Sequence, residues 1–524
     1  KNFVFERRSK MIRQFQKSSF CQRDRNSTTF FILCCFVSIS GGTIFGYNTG
    51  VIAAALNPLS AHFDNLSELM QGVVTCSVLV GAMFSSIVGS FFVSIVGYKV
   101  AMLVTGVCCV IGAVASALLP WLWAVIGVRI ILGLSVGLST VVCPAWVGEM
   151  GPASRKGMLG ALFQLSVTLG ILLSYLLGYV LLVAELEDNL NFRVLFALGL
   201  VPGALTFGIG LLMPESDEWL RSKGEDVVDG GAVAFHSSSE EDALPYAVTT
   251  RSTADTFDVD PRAPLTDEYE EKQELTPNKH SIREQFSQRD QWRALFCNSK
   301  YRFPAIAALI LAVVLQLTGI NAFMYFSPSV FQSAGLGGGD KGALLATIIV
   351  GAWNFIATFG ATFLSDRVGR RPLMLWGTFF MAWSSLTLGF NFYFVPGTTK
   401  GYLGIALTLV FVAGFETGPG CLFWVILTEI FPDQVKDAGL TLSNALQWTF
   451  ALILSAFFLS IQEALGQSTV FWMFGVIGVC CLVWLYFYLP ETSARQTKTI
   501  KVGYSDFPQQ TSDSLGSVNI DSNY

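Results

Sequence analysis

Pro214-Glu215-Ser216 closes one long apolar stretch of this chain, and Pro490-Glu491-Thr492 closes another 276 positions later. Working outward, Glu149, Pro152 and Arg155 recur as Glu429, Pro432 and Lys436 at an offset of 280. Gly97-Tyr98-Lys99 recurs as Gly369-Arg370-Arg371 at an offset of 272. Three charged loop signatures in the same order, at nearly the same offset, mean two related halves. Parallel halves around a midplane site are how one large group of membrane transporters is built.

Composition agrees. Of 524 residues, 52% are hydrophobic and 14% charged, against about 25% charged in a typical soluble domain. Twelve apolar stretches of roughly twenty residues each suffice to cross a ~30 Å hydrocarbon layer as helices. They fall near 30–53, 68–93, 99–119, 122–148, 157–182 and 192–213, then near 304–331, 342–365, 371–395, 402–430, 437–463 and 469–489. The expected fold is an all-α membrane protein with two six-helix halves (30–213 and 304–489). A long cytoplasmic linker (214–303) joins the halves, with cytoplasmic tails at 1–29 and 490–524.

Basic residues set the orientation. Arg7, Arg8, Lys10, Arg13, Lys17 and Arg23 lie ahead of the first stretch with few acids, which keeps that tail in the cytoplasm. The loop at 57–67 then faces outward, and its Asn65-Leu66-Ser67 fits a glycan acceptor. No cleavable signal peptide is expected, because the first apolar stretch is long and no small-residue cleavage site follows it. The linker carries Glu240-Glu241-Asp242, Ser237-Ser238-Ser239 and scattered Pro. That material cannot bury a core and reads as largely disordered. Near its end Ser281 to Glu284 fits a capping box, ahead of Phe286, Trp292 and Leu295-Phe296, so a short amphipathic helix on the cytoplasmic face is expected there. Of the eleven Cys, most lie inside the apolar stretches in no metal-ligand spacing, and they read as small apolar fillers. No metal, cofactor or nucleic acid is expected as a partner.

The motifs resemble those of the sugar porter family of the major facilitator superfamily. Gly41-Gly42-x-x-Phe45-Gly46-Tyr47-Asn48-x-Gly50 is similar to its first-helix signature, and Arg129-x3-Gly133-x3-Gly137-x6-Pro144-x-Trp146-x2-Glu149-x2-Pro152 to its fourth-helix motif. Gln316-Leu-Thr-Gly-Ile-Asn321-x3-Tyr325 resembles the seventh helix, and Asp366-Arg367-x-Gly369-Arg370-Arg371 the loop after the eighth. Glu416-x-Gly418-Pro419-Gly420-x3-Trp424-x4-Glu429-x2-Pro432 resembles the tenth.

A sugar site needs amides and an indole. Amides match hydroxyls without the cost of desolvating an ion, and an aromatic face packs on the ring's C–H groups. The resemblance implies a cavity lined by Gln164, Gln316, Asn321, Tyr325, Asn354, Glu416 and Trp424, with Trp448 near it. It also implies a cytoplasmic gate of Glu149, Arg155, Glu215, Asp366, Arg367, Arg370, Arg371, Glu429, Lys436, Glu491 and Arg495. Opposite charges there would clamp the halves while the site faces outward. The Gly and Pro of Thr318 to Asn321 and of Gly418 to Gly420 are expected to interrupt helices seven and ten.

Four departures qualify the resemblance. Leu315 stands where the seventh-helix motif usually has a first Gln, which puts ordinary D-glucose selectivity in doubt. The loop Ser94 to Lys99 has lost an acid or amide and two Arg, so the gate of the first half should be weaker. Gln447 replaces a common Asn, and Lys436 replaces Arg, forfeiting bidentate pairing. In proton-coupled members the position of Asn48 is Asp, near an Arg on helix four that corresponds to Arg129; Asn cannot titrate.

The leading expectation is therefore a facilitative uniporter of a hexose or related polyol, in the plasma membrane or an organelle membrane such as the vacuole. Proton–sugar symport is the second reading and a non-transporting sugar sensor the third. An enzyme is not expected, since no nucleophile–base or phosphate-cradling motif occurs.

Overall fold

The computed structural model describes residues 28–152, 155–223, 227–228, 232–233, 288–333 and 339–492. Most of the acidic linker, the Ser281 to Glu284 capping box and Arg495 lie outside the described residues, as does the side chain of Asp366. Among the described residues, twelve helices are long and apolar enough to cross a membrane. In the first half they are α1 (Thr28–His62), α2 (Glu68–Val96), α3 (Tyr98–Leu118), α4 (Leu122–Met150), α5 (Lys156–Val183) and α6 (Asp188–Leu198 continued by Leu200–Leu212). In the second they are α7 (Arg302–Gln316 and Ile320–Ser333), α8 (Gly339–Val368), α9 (Arg370–Phe394), α10 (Gly397–Phe415 to Cys421–Ile430), α11 (Lys436–Leu465) and α12 (Gln467–Tyr488).

The repeat read from the charged loops is thus a repeat of six helices. The packing repeats as well: α2 and α3 pack on α4 and α3 on α6, as α8 and α9 pack on α10 and α9 on α12. The largest departure from the expected spans is in α1. α1 runs nine residues past 53, through Pro58, and ends only where Asp64 and Asn65 take left-handed backbone at φ 59. Ala53 to Leu59 are mostly buried against the rest of the bundle, so packing carries the helix beyond the bilayer-length stretch. The Ser67 hydroxyl then caps α2 through Met70 N–H (3.4 Å).

Both expected interruptions are present. α7 breaks at Leu317 to Gly319, with Gly319 at φ 104, and α10 opens into a wide turn over Glu416–Gly420, where Gly418 has φ −111 and ψ −105. Each break frees backbone groups and side chains near mid-depth, which a continuous helix would turn away.

We call the end where α1 begins the inner end. The halves meet along α2–α11, α5–α8 and α1–α7. Toward the outer end Lys341 Nζ lies 3.3 Å from Glu185 Oε1, and the Tyr175 hydroxyl donates to Met324 O (2.6 Å). Thr449 reaches Met83 Sδ (3.4 Å) near mid-depth. A surface helix, Gln288–Cys297, docks at the inner end on the second half. Its Leu295 is buried, and Gln291 donates to Asp437 Oδ2 (3.4 Å) and accepts from Ala438 N–H (3.2 Å).

Candidate functional site

The break in α7 places Gln316 at the end of one helical piece and Asn321 in the first turn of the next. Asn321 Nδ2 donates to Gln316 Oε1 (2.8 Å), and Gln316 Nε2 donates to Gln447 Oε1 on α11 (2.8 Å). Gln447 Nε2 in turn donates to Asn444 Oδ1 (3.1 Å). Four amides thus form one buried chain, and each uses only part of its capacity of two donors and two lone pairs.

Two further buried polar atoms of the second half have no partner, the Trp448 indole Nε1, next to Gln447 on α11, and the Asn354 Oδ1 on α8. Trp448 is 2% exposed, and its ring lies 5.6 Å from that of Phe45, which belongs to the other half. An unmet buried donor and an unmet buried acceptor each cost about 1–3 kcal/mol. A polyhydroxyl ligand, whose groups both donate and accept, would relieve both.

Glu416 lies in the wide turn of α10 and is 1% exposed. Thr358 on α8 and Gln164 on α5 stand beside its carboxyl, the latter from the other half. Tyr325 is buried and has Thr49 of α1 as its side-chain partner, a second crossing. Trp424 is not drawn into this group. It is 40% exposed on the inner part of α10, edge-on to Phe423 at 4.9 Å. Of the residues the resemblance implies, the structure therefore gathers Gln316 and Asn321 in one network, sets Gln164 beside Glu416, and leaves Trp424 exposed beside Phe423. Asn444 and Thr358 were not foreseen. Asn444 precedes Gln447 by three positions, hence on the same face of α11, and that spacing was the available signal.

Asn48 and Arg129 are both buried but not hydrogen-bonded to each other. Asn48 Nδ2 donates to Ile44 O (2.8 Å). Arg129 Nε donates to Val74 O and Ser77 Oγ (3.3 Å each), and its guanidinium lies 4.8 Å from the Phe196 ring centroid. Arg129 Nη1 has no partner. An Asn in place of an acid leaves this buried cation with neutral neighbours, an arrangement costing several kcal/mol that the aromatic face offsets only by about 2 kcal/mol.

At the inner end the charged residues make bonds inside each half. In the first, Glu215 accepts from Tyr98 N–H (2.7 Å) and Lys99 N–H (3.2 Å), while Glu149 accepts from the Tyr98 and Ser216 hydroxyls. Gly97, at φ 88, makes this possible, because a Cβ there would lie 2.3 Å from Glu215 Oε2. In the second, Glu491 accepts from Arg370 N–H (3.1 Å) and Arg371 N–H (3.2 Å) below Gly369 at φ 98. Glu429 accepts from the Thr492 hydroxyl and pairs with Arg370 Nε (3.6 Å). Arg371 also donates to Tyr486 O (2.7 Å). Arg155 lies over the Phe31 ring (4.6 Å) rather than on an acid, Arg367 is exposed, and Lys436 opens α11. The two halves carry the same hook, built twice.

Two six-helix halves with a polar site at their seam define a membrane carrier. The model of the family described as Sugar (and other) transporter matches residues 34–504. The chain is 29% identical over 472 residues to the galactose-proton symporter of Escherichia coli strain K12, covering 90% of this chain and 93% of that protein. It is 28% identical over 464 residues to the arabinose-proton symporter of the same strain, covering 87% and 90%. The partially occluded inward open conformation of the xylose transporter XylE from E. coli shares the fold at a TM-score of 0.68 and 24% identity, covering 89% of this chain and 99% of that one. The chain belongs to the sugar porter family of the major facilitator superfamily.

Proposed function

We propose that this protein carries a hexose or related sugar or polyol across a membrane by alternating access, binding it between the halves at Gln164, Gln316, Asn321, Tyr325, Asn354, Glu416, Trp424 and Trp448. One observation carries this reading. A buried chain of amides runs from α7 to α11 and is followed along α11 by the unmet indole donor of Trp448, whose ring meets Phe45 of the other half. The outer-end contacts hold the seam together on that side. When the inner end closes instead, the charged hooks of the two halves come together as a gate.

On coupling, the proton symporters among the relatives support proton–sugar symport. The uniport reading rests on Asn48, which has no proton to exchange. Uptake into reconstituted vesicles at zero and at imposed pH gradient separates the two. Symport gives sugar accumulation above the external level only with the gradient, and uniport gives equilibration in both. The absence of any uptake, with sugar still bound, would favour the sensor reading. We place the carrier in the plasma membrane, with Asn65 glycosylated on the outer face if the host is eukaryotic. Gln164→Ala is expected to weaken sugar binding about five- to a hundred-fold, the worth of one hydrogen bond to a buried polar group.

A further inference from the structure

One of the contacts that join the halves toward the outer end stops on a backbone carbonyl that the sequence deprives of its helical donor. The second piece of α7, Ile320–Ser333, contains Pro328. Proline has no N–H, so the carbonyl four residues earlier, that of Met324, receives no bond from its own ladder. In a membrane helix a group freed in this way is met by a neighbouring element. Here the neighbour belongs to the other half: the Tyr175 hydroxyl of α5 donates to Met324 O at 2.6 Å. We infer that Tyr175 is a positioning residue of the transport cycle, a latch that holds the second piece of α7 against the first half by meeting the carbonyl that Pro328 frees. The inference rests on the carrier reading above and adds to it a bond that biases the halves toward closure on the outer side.

The surroundings fit such a latch. Tyr175 is 0% exposed and Met324 is 3% exposed. The tyrosine ring lies against Gly351 of α8, where a Cβ would come within 2.8 Å of its Cδ2 and 3.1 Å of its Cε2. Glycine at that position gives the ring its path to the carbonyl. The segment that Tyr175 holds is set off from Arg302–Gln316 by Gly319 at φ 104, and it carries Asn321, the first member of the amide chain. Farther along, the segment is anchored to its own half. Gln467 Nε2 of α12 donates to Val330 O (3.3 Å), and the Ser333 hydroxyl donates to Gln467 Oε1 (3.0 Å). Tyr175 thus ties to the first half a segment that the second half otherwise carries, and that segment bears a residue of the sugar site.

The bond is worth different amounts in the two arrangements of the cycle. With the outer seam closed, water does not reach Met324 O and Tyr175 supplies its donor. When the halves part on that side, water enters and replaces the hydroxyl. Removing the hydroxyl therefore penalises the closed arrangement alone, where it leaves a buried acceptor unmet. Pro328→Ala supplies the missing N–H, so that the helix meets its own carbonyl and the latch loses its purpose.

The test is hydrogen–deuterium exchange followed by mass spectrometry on full-length protein in lipid nanodiscs without sugar. It compares peptides from the outer parts of α5 and α7 with peptides from the inner parts of α4 and α10. Tyr175→Phe should shift the equilibrium toward the outer-open arrangement about five- to a hundred-fold, the worth of one hydrogen bond to a buried polar group. The signature is faster exchange at the outer peptides together with slower exchange at the inner ones, whereas a merely loosened fold speeds both. Added to Pro328→Ala, the same substitution should shift the equilibrium by less than about twofold. Where Tyr175→Phe does not insert, Gly351→Ala serves, because its Cβ displaces the ring and should give the same opposed changes. Unchanged exchange, faster exchange at both ends, or an equal shift with and without Pro328→Ala overturns the latch. Sugar counterflow by the native protein is measured alongside. Its absence overturns the carrier reading, whereas counterflow without the opposed exchange changes overturns the latch alone.

Discussion

The two inner hooks use the same backbone grip and different side chains. In each, a Glu that follows Pro holds the first two N–H groups of a helix entered through a left-handed Gly. In each, the next residue offers a hydroxyl to the Glu that ends the neighbouring helix. They diverge at the first residue of the gripped helix. Arg370 in the second half gives Glu429 a guanidinium, whereas Tyr98 in the first gives Glu149 only a hydroxyl. They differ in burial too: Glu215 is 5% exposed, while the Arg370–Glu429 pair is 21% and 29% exposed. The gripping of backbone N–H groups tolerates such change because it needs only a carboxylate and a Gly. The cation is the dispensable part of that pairing, and the first hook holds Glu149 through hydroxyls instead.

The largest expected effect comes from breaking the buried grip. Glu215→Gln replaces one of two accepting oxygens by a donor, leaving a buried N–H of α3 unsatisfied. It should cost about 1–3 kcal/mol. Glu491→Gln, nearer to water, should cost less than half as much. Thermal unfolding in detergent compares them, and equal losses would show that burial does not distinguish the hooks.

A smaller effect is expected from pH. Burial pushes the Glu215 carboxyl up to about 7, against the pull of the Ser216, Tyr98 and Lys99 N–H groups and the Lys99 charge. The docked carboxyl therefore binds a proton more readily than a freed one, whose ordinary value is 4.5. Between those values, raising the pH weakens the docked state, and above about 7 the dependence ends. Hydrogen exchange at the Tyr98 and Lys99 amides, corrected for intrinsic rates, should show opening that increases from about pH 5 to about 7 and then levels. Glu215→Gln should abolish that slope, and an unchanged slope would assign it to another group.

The smallest effect tests the divergence itself. Tyr98→Arg restores the repeat and should stabilise the first hook by at most about 1 kcal/mol, in a manner lost at high salt. A gain that survives molar salt would mean that packing, not charge, separates the halves.

Much of this architecture was legible in the sequence, because charged loops between apolar stretches are rare and their repetition is hard to miss. The interruptions at Thr318 to Asn321 and Gly418 to Gly420 announced themselves through Gly and Pro. Partnerships did not. Membrane helices are apolar nearly all round, so periodicity gave no sign that Gln447 and Asn444 continue the α7 amide chain, or that Thr358 faces Glu416. The Tyr98 position read as a lost basic residue, and only the fold shows its hydroxyl on Glu149. Trp424 followed from resemblance to the family, but its place apart from the amide network depends on the break in α10.

Counterflow of labelled sugar tests the central claim most directly. Vesicles holding the native protein and loaded with unlabelled sugar should transiently accumulate label of at least one sugar in a panel of hexoses, pentoses and polyols. Gln316→Leu, which cuts the amide chain at its centre, should reduce that exchange at least tenfold while the protein remains inserted. No counterflow with any sugar, or full exchange by Gln316→Leu, would contradict a sugar site at the seam between the halves.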